Sequence, residues 1–267
     1  MSRLERTFAR LRAEGACGLF PYLAAGFPDQ ATSRALAEAA LEAGADGFEI
    51  GVPFSDPLAD GATMQRANAR ALAGGATLET ALELAGLIRA RSPETPAVLM
   101  SYYNPVRQRG DDAFAADLAA VGADGVIVPD LPLEEAADLH AALSSRQLSL
   151  VPMVAPTSPE KRVRAMAALQ PAFVYCVALV GVTGARQDLS TALGDLLGRV
   201  RAVTSAPLVV GFGISRPQHV RDAARVGGAG VIVASALTDL VERSDDPATA
   251  TREYLREMKQ AASTVAR

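Results

Sequence analysis

The sequence predicts an α/β protein that folds as a single-domain (β/α)8 barrel, or TIM barrel, over residues 1–267. Three observations lead to this fold class. Strand and helix patterns alternate along the whole chain, no low-complexity linker divides it, and one short segment recurs three times. Eight strand–helix units in a chain of 267 residues fit one closed barrel better than an open sheet or two domains.

The recurring segment joins a helix end, a glycine turn and an apolar strand. It occupies residues 42–50, 121–128 and 226–233. The glycine after each helical pattern predicts a left-handed helix C-cap. The apolar run that follows is what a parallel strand buried on both faces requires.

The elements follow one another in a regular order along the chain. Strands are predicted near residues 19–25, 46–51, 97–101, 125–129, 149–154, 172–179, 207–211 and 230–234. Helical patterns lie between them, for example at residues 31–43, 113–121 and 217–226. Extra helices are predicted at the N-terminus, over residues 2–14, and after strand 2, between Thr77 and Ala90. In this fold the functional residues are expected on the loops that follow the strands.

The composition argues against several classes of partner. The formal net charge is −4, with no basic run and few aromatic residues, so we expect no nucleic acid and no anionic membrane surface as a partner. Cys17 and Cys176 have no metal or redox spacing, which favours free thiols in a reducing compartment. The chain has neither a signal-peptide pattern nor an apolar stretch of membrane-spanning length, so we expect a cytoplasmic protein.

Two carboxylates offer the best clue to chemistry. Glu49 lies within the second strand, and Asp60 lies on the loop that leaves the C-terminal end of that strand. Side-chain alternation puts Glu49 on the same face as Gly47 and Gly51, which we expect to leave room beside it. A carboxylate on a buried face is costly unless it is paired, hydrogen-bonded or protonated. The structural alternatives are a buried ion pair for Glu49 and a helix cap for Asp60.

Small residues follow the last three strands and predict a phosphate site. They occupy residues 181–185, 211–215 and 234–235, which share one rim in a barrel. Glycine lets backbone N–H groups approach an anion, and a helix beginning at Ser235 adds its positive end. The alternative is that these glycines only form tight turns.

Other residue types narrow the reaction class. Lys161 and Lys259, the only lysines, fall in helical patterns, which argues against Schiff-base catalysis. His140 and His219, the only histidines, also fall in helical patterns, so a histidine metal site or a Ser-His-Asp triad has little support. Asp130 ends the fourth strand, but its neighbours favour a cap on the next helix. The remaining class is metal-free acid–base chemistry on a phosphorylated molecule.

Nearly end to end, the chain resembles the tryptophan synthase alpha chain family. The motifs that carry the resemblance lie at residues 20–29, 49–61, 103–106, 129–135, 155–157, 181–186 and 211–215. The resemblance implies retro-aldol cleavage of indole-3-glycerol phosphate to indole and glyceraldehyde 3-phosphate. When the indole ring is protonated at C3, it accepts the electron pair of the breaking C–C bond. The reaction therefore needs neither a Schiff-base lysine nor a metal ion. Glu49 would exchange protons with C3 and the glycerol hydroxyl, and Asp60 would hold the indole N–H.

The same resemblance implies the surroundings of the substrate, with core packing as the alternative. The implied indole and glycerol pocket consists of Tyr22, Met100, Tyr102, Met153, Tyr175, Phe212 and Ile232. The implied phosphate-binding backbone lies around Gly184, Gly213, Ala234 and Ser235. Thr183 would touch Asp60 when its loop closes over the substrate.

The family works as an αββα heterotetramer with a beta chain that carries pyridoxal phosphate. By resemblance, the loop at residues 53–60 and the region around Asn104 would dock to that beta chain, and this chain would need no cofactor of its own. The chain departs from the commonest family pattern at Ala24, Ala62, Ala178 and Ala234. Ala234 adds a methyl group near the expected phosphate.

Two alternatives share the barrel. A stand-alone indole-3-glycerol phosphate lyase would need no beta chain, and the sequence barely separates it from the subunit. A catalytically silent regulatory subunit would only bind its partner, but the presence of both Glu49 and Asp60 argues against it.

Overall fold

Nine parallel strands form a nearly closed barrel, as the sequence predicts. The computed structural model describes residues 1–177, 186–211 and 213–263, with the backbone alone over residues 186–191. The strand order around the barrel is β5-β4-β3-β2-β1-β9-β8-β7-β6. The strands are β1 (Gly18–Ala24), β2 (Phe48–Gly51), β3 (Ala97–Met100), β4 (Gly125–Ile127), β5 (Ser149–Val151), β6 (Met153–Val154), β7 (Val174–Val177), β8 (Leu208–Gly211) and β9 (Gly230–Val233).

The ninth strand arises from a proline. β5 and β6 are two pieces of the one strand predicted over residues 149–154, and Pro152 separates them because it has no N–H to donate. β5 pairs with β4 and β6 pairs with β7, so the two pieces meet where the barrel closes. The carbonyl of Pro152 still accepts a hydrogen bond from Tyr175 N at 3.0 Å. The eight predicted strands are therefore the strands of the barrel.

Helices surround the barrel within the described ranges. They are α1 (Arg3–Glu14), α2 (Gln30–Glu42), α3 (Ala62–Ala73), α4 (Leu78–Arg91), α5 (Tyr103–Arg109), α6 (Asp111–Ala120), α7 (Ala137–Ser144), α8 (Glu160–Ala167), α9 (Arg186–Arg201), α10 (Pro217–Arg225), α11 (Ser235–Arg243) and α12 (Pro247–Ser263), with one 3-10 helix at Leu133–Glu135. The extra helices expected at residues 2–14 and 77–90 are α1 and α4. The glycines that follow α2, α6 and α10 have φ values of 84°, 72° and 93°, which are the left-handed caps predicted from the repeat.

The sequence analysis does not predict α5, and it considers α3 only as the helix that Asp60 would cap. α3 buries one methionine, two alanines and one asparagine, and α5 buries only Val106. Neither therefore has the wide apolar stripe from which a helix is recognised in a sequence. Among the helices in the described part of the chain, none is by itself long and apolar enough to span a membrane, and α3 with α4 reaches that length only across a bend of 100°.

Helix α1 closes the N-terminal end of the barrel. Its Phe8 packs on Phe20 of β1 and on Phe173, with ring centroids 5.6 and 5.8 Å apart. Phe20 and Phe173 also stack on each other at 6.4 Å. This aromatic cluster fills the interior of the barrel at that end.

Two aspartates of the recurring segment hold the strands at the same end. Asp46 accepts hydrogen bonds from Leu19 N at 2.9 Å and from Arg10 at 2.7 Å, and it also pairs with Lys259. In the second copy of the repeat, the buried Asp124 accepts from Ala97 N at 2.9 Å and pairs with two arginines, Arg3 at 2.8 Å and Arg89 at 3.0 Å. Each aspartate thus ties the start of a neighbouring strand to α1.

Candidate active site

Glu49 is a buried acid, and one of its two carboxyl oxygens has no partner among the described residues. The side chain is 3% exposed on β2, and its Oε2 atom has no hydrogen-bond partner among the described residues. No described cation pairs with it, so the structural ion pair considered from the sequence is not formed there. Burial, and then the charge of Asp60, raises the pKa of Glu49 from 4.5 to about 8. At neutral pH this carboxyl is therefore mainly protonated.

The glycines beside Glu49 serve a different purpose from the one expected. A Cβ at Gly51 would lie 1.7 Å from the hydroxyl oxygen of Tyr22, and a Cβ at Gly47 would lie 2.4 Å from the ring of Phe20. The space is therefore filled by aromatic rings of β1 and is not left open for the carboxylate. Tyr22 and Glu49 are register partners across β1 and β2, so the Tyr22 ring borders the acid directly in the sheet.

Asp60 is held by its loop from several sides. Its backbone N donates to Pro57 O at 3.0 Å, and Asn68 Nδ2 of α3 donates to its Oδ2 at 2.9 Å. Gly61 is the N-cap of α3 and no side chain caps that helix, so the expected alternative of a capping aspartate is wrong. Burial raises the pKa of Asp60, while hydrogen bonds from Tyr102 and Asn68 oppose that rise.

Glu49 and Asp60 line one cavity of about 300 Å³ at the C-terminal ends of the strands. The remaining lining residues are Tyr22, Ala59, Gly61, Ala62, Thr63, Met64, Met100, Met153, Tyr175, Gly213, Ile214, Ile232, Ala234 and Ser235. Burial and the nearby acids raise the pKa values of Tyr22 and Tyr175 well above 10, so both phenols stay neutral. The cavity therefore combines apolar walls with two acids of different surroundings, as ligand sites commonly do.

Five of the seven residues expected to form the indole and glycerol pocket line the cavity. Tyr22, Met100, Met153, Tyr175 and Ile232 line the cavity, as the resemblance implies. Phe212, Thr183 and Gly184, which the resemblance also implies, lie outside the described residues, as does the departure at Ala178.

Tyr102 differs from expectation, because it does not line the cavity and supports the Asp60 loop instead. Its hydroxyl accepts a hydrogen bond from Ala59 N at 3.0 Å, and its ring stacks on Phe54 at 5.3 Å. Both contacts are with residues of the loop that carries Asp60. Tyr102 thus holds that loop against the end of β3.

The rim formed by the loops after β8 and β9 presents backbone groups. Gly213 has a φ of 74° after β8, a conformation that favours glycine. Ala234 and Ser235 begin α11, whose N-terminus has no side-chain cap. Its first N–H groups therefore face the cavity end without an internal partner. Two hydrogen bonds brace the loop after β8, from Ser215 N to His219 Nδ1 at 3.2 Å and from Tyr254 Oη to Ser215 O at 3.1 Å.

The other candidates from the sequence lie away from the cavity. Lys161 is exposed on α8, and Lys259 pairs with Asp46 at the opposite end of the barrel. His140 lies on α7 near Leu169 O. In the ranges that the structure describes, no group of three His, Cys, Asp or Glu side chains is arranged to hold a metal ion.

Asp130 caps a helix, but a different one from the helix expected. Its Oδ1 accepts a hydrogen bond from Tyr103 N at 2.8 Å, at the start of α5. The 3-10 helix that follows Asp130 in sequence has no side-chain cap. The cap therefore joins the loop after β4 to the loop after β3, which a pattern of neighbouring residues cannot reveal.

Comparison with known proteins identifies the family and the fold of the chain. The sequence profile described as tryptophan synthase alpha chain matches residues 8–266. The chain belongs to the tryptophan synthase alpha chain family. Among its relatives, the tryptophan synthase alpha chain of Roseiflexus sp. (strain RS-1) is 54% identical over 244 residues, which cover 91% of this chain and 93% of the relative. That of Chloroflexus aurantiacus is 48% identical and covers 98% of each chain.

Solved structures of the tryptophan synthase family have the same fold. The alpha chain from Legionella pneumophila superimposes with a TM-score of 0.90 at 32% identity, covering 100% of this chain and 99% of that one. A tryptophan synthase chain from M. tuberculosis, in an aminoacrylate-bound form, gives 0.89 at 35% identity, covering 98% and 100%. The predicted family and barrel fold are confirmed. The alpha-subunit role in tryptophan biosynthesis and the lyase class follow from family membership.

The family resemblance did not point to several residues of the site. Thr63, Met64 and Ile214 line the cavity, and Asn68 contacts Asp60. The one signal for Asn68 in the sequence is an amide among the small apolar residues that α3 buries. Of the departures from the commonest tryptophan synthase pattern, Ala62 and Ala234 line the cavity, while Ala24 is buried at the end of β1.

Proposed function

We propose that this chain cleaves indole-3-glycerol phosphate with Glu49 as the proton carrier and Asp60 as the group that stabilises the charged indole. The observation that carries the proposal is a buried carboxyl, with one oxygen unpartnered among the described residues, that shares a cavity with a second acid. Two acids in unlike surroundings can take opposite protonation states at one pH. That is what a metal-free retro-aldol reaction requires.

Glu49 begins the reaction protonated. With its pKa raised to about 8, it gives a proton to indole C3, and the positive charge moves to the ring nitrogen. The resulting carboxylate takes the proton of the glycerol hydroxyl, and a carbonyl forms as the C–C bond breaks. The bond's electron pair returns to the ring and neutralises the nitrogen. Glu49 is protonated again at the end of the reaction, because the proton that it gives to C3 is replaced by the proton that it takes from the glycerol hydroxyl.

Asp60 acts in its ionised form. As a carboxylate it accepts the hydrogen bond of the indole N–H, and the attraction strengthens when that nitrogen becomes positive. The hydrogen bonds from Tyr102 and Asn68 keep its pKa from rising further. The loop contacts of Ala59 and Pro57 hold the carboxylate at the cavity wall without a cation that would neutralise it.

The phosphate of the substrate would bind at the loops after β8 and β9. Backbone N–H groups around Gly213 and at the start of α11, Ala234 and Ser235, supply donors and the positive end of a helix. Gly184 and Thr183 would complete the site and close it. The methyl group of Ala234 narrows this rim slightly compared with glycine, which favours a somewhat weaker hold on the phosphate.

The partner would be the beta chain of tryptophan synthase, in an αββα heterotetramer in which the beta chain carries the pyridoxal phosphate. This chain would carry no cofactor of its own. Leu58 is 89% exposed on the loop at residues 53–60, and Asn104 is exposed in the first turn of α5. Both residues are therefore accessible where the resemblance puts the contact with the beta chain.

We further infer one domain over residues 1–267 in a reducing compartment, the cytoplasm. β1 pairs with β9, which joins the first strand of the chain to the last. Cys17 and Cys176 are both buried and unpaired. These observations support one folded body whose thiols stay reduced.

The test is indole release from indole-3-glycerol phosphate by the purified chain, with and without a beta chain. We expect slow release alone and strong activation on mixing. Leu58→Glu should weaken the activation and leave the basal rate near its normal value. Strong activity without any effect of the beta chain would favour the stand-alone lyase, and no release under either condition would favour the silent subunit.

A further inference from the structure

We propose that Asn68 is a positioning residue that holds the Asp60 carboxylate ionised and fixed at the cavity wall. The proposal rests on the proposed function of Asp60, which must be a carboxylate to accept the indole N–H. Asn68 does not line the cavity. Its effect on the reaction would therefore pass through Asp60 alone.

The geometry puts the amide directly behind the acid. Asn68 lies on α3, eight residues after Asp60, and is 3% exposed. Its Nδ2 atom donates to Asp60 Oδ2 at 2.9 Å. The other buried residues of α3 are Met64, Ala67 and Ala71. Asn68 is thus the one amide side chain on the apolar face of this helix.

The other half of the amide has no partner. Asn68 Oδ1 is buried and makes no hydrogen bond to any described residue. An unpaired buried acceptor destabilises a fold, and an apolar side chain of the same size would avoid that penalty. The contact with Asp60 is the one feature of this site that an asparagine supplies and a leucine does not.

The charges around Asp60 explain why a donor matters. No described cation pairs with Asp60. The titratable groups that face it are Glu49 on β2, Tyr22 on β1, Tyr102 after β3 and Tyr175 on β7. Arg66, on the same helix as Asn68, is already paired with Asp239 and Glu242 of α11 at 3.2 Å each. Neutral donors are therefore what favours the ionised form of Asp60.

The amide also discriminates between protonation states. Nδ2–H can donate only to an oxygen with a free lone pair, so its bond is strongest when Asp60 is charged. Turning the amide over would set Oδ1 against the carboxylate, acceptor against acceptor. The observed orientation therefore suits an ionised Asp60.

The experiment compares Asn68→Leu with the wild type in two readouts. The first is the pH dependence of kcat for indole release, and the second is the pKa of Asp60 from carbon NMR, assigned by comparison with Asp60→Asn. We expect the apparent pKa of the acidic limb of the kcat profile and the NMR pKa of Asp60 to rise together by about one pH unit. The reason is that a hydrogen bond to a charged group changes its protonation equilibrium by roughly tenfold or more. KM should change little, kcat should fall about tenfold, and the melting temperature should not fall.

Two further variants sharpen the test. Asn68→Asp keeps the shape but puts a second carboxylate against Asp60, so the shift should be larger than for leucine. Gln65→Met is the matched control, because Gln65 Nε2 donates to the backbone oxygen of Asp60 at 2.9 Å and not to its carboxylate. It should leave the pKa of Asp60 in place.

An unshifted Asp60 pKa in a folded Asn68→Leu chain would overturn the proposal. Loss of the fold in both Asn68 variants would also overturn it, because the role would then be structural. A wild-type chain that releases no indole counts against the proposed function instead. The NMR titration needs no turnover, so it still decides the role of Asn68 in that case.

Discussion

Replacing Glu49 with glutamine removes the proton carrier and keeps the shape of the side chain. We expect indole release to fall by about 10²–10⁴-fold, the usual contribution of a general acid–base group. Binding of a substrate analogue should be nearly unchanged, since the amide fills the same space. The structure also gives this variant a second signature that does not depend on turnover.

The raised pKa determines how much of Glu49 is ready to react. With a pKa of about 8, about 90% of the side chain is protonated at pH 7, whereas a pKa of 4.5 would leave about 0.3%. Activity that needs the protonated form should therefore decline as the pH rises through about 8. This alkaline limb should be absent from whatever rate remains in Glu49→Gln.

The same shift makes the stability of the fold depend on pH. Glu49 binds its proton more tightly in the folded chain, so its contribution to the free energy of unfolding is fully present below pH 4.5. It is lost as the pH rises through about 8. The rise from 4.5 to about 8 corresponds to about 5 kcal/mol at about 1.4 kcal/mol per pH unit. Because glutamine does not ionise, the free energy of unfolding of Glu49→Gln should not fall in this way as the pH rises.

The assay is denaturant unfolding of both chains between pH 4.5 and pH 9. The stability of Glu49→Gln relative to the wild type should grow by about 5 kcal/mol across this range. Glu257→Gln, at an exposed glutamate on α12, is the control and should show no such trend. Parallel stability curves for Glu49→Gln and the wild type would refute the assignment of a buried acid with a raised pKa, and near-normal turnover would refute its role as proton carrier.

Three further predictions follow from the described contacts. Asp60→Asn should lower turnover by about 10²–10³-fold while a phosphate-site ligand still binds; loss of the fold would instead assign Asp60 a structural role. Gly51→Ala puts a Cβ 1.7 Å from the Tyr22 hydroxyl and should destabilise the chain by about 1–3 kcal/mol, with partial recovery of the melting temperature on adding Tyr22→Leu; an unchanged melting temperature would contradict this packing. Asp124→Asn should cost about 3–5 kcal/mol in the free energy of unfolding, because it leaves two arginines uncompensated, whereas removing an exposed pair changes little.

The barrel could be predicted from the sequence because its signals are local. Apolar strands, glycine caps and helix periods repeat every few tens of residues, and each strand was located within a few residues. The exception at Pro152 is also local, since a missing N–H divides one strand into β5 and β6. A helix with a narrow apolar face, such as α5, was not predicted because its sequence shows no clear helical period.

The candidate site was predicted less completely because its contacts are not local. Glu49 could be singled out as a carboxylate in an apolar strand. The purpose of Gly51 could not be predicted, because it depends on a ring from the neighbouring strand. The same limit applies to Asn68 and Tyr102, whose contacts with the Asp60 loop come from other elements. Asp46 and Asp124 were visible as a repeat, but their pairing with arginines of α1 needed the fold.

The acidic side chains at the two ends of the barrel have opposite surroundings. At the end covered by α1, Asp46 and Asp124 are each surrounded by cations and strand amides. At the open end, Glu49 and Asp60 meet no described cation. Thermal robustness and reactivity are therefore controlled by separate sets of side chains at opposite ends of the same strands. Substitutions that stabilise the closed end can therefore raise the melting temperature of the barrel without changing the pKa values of Glu49 and Asp60.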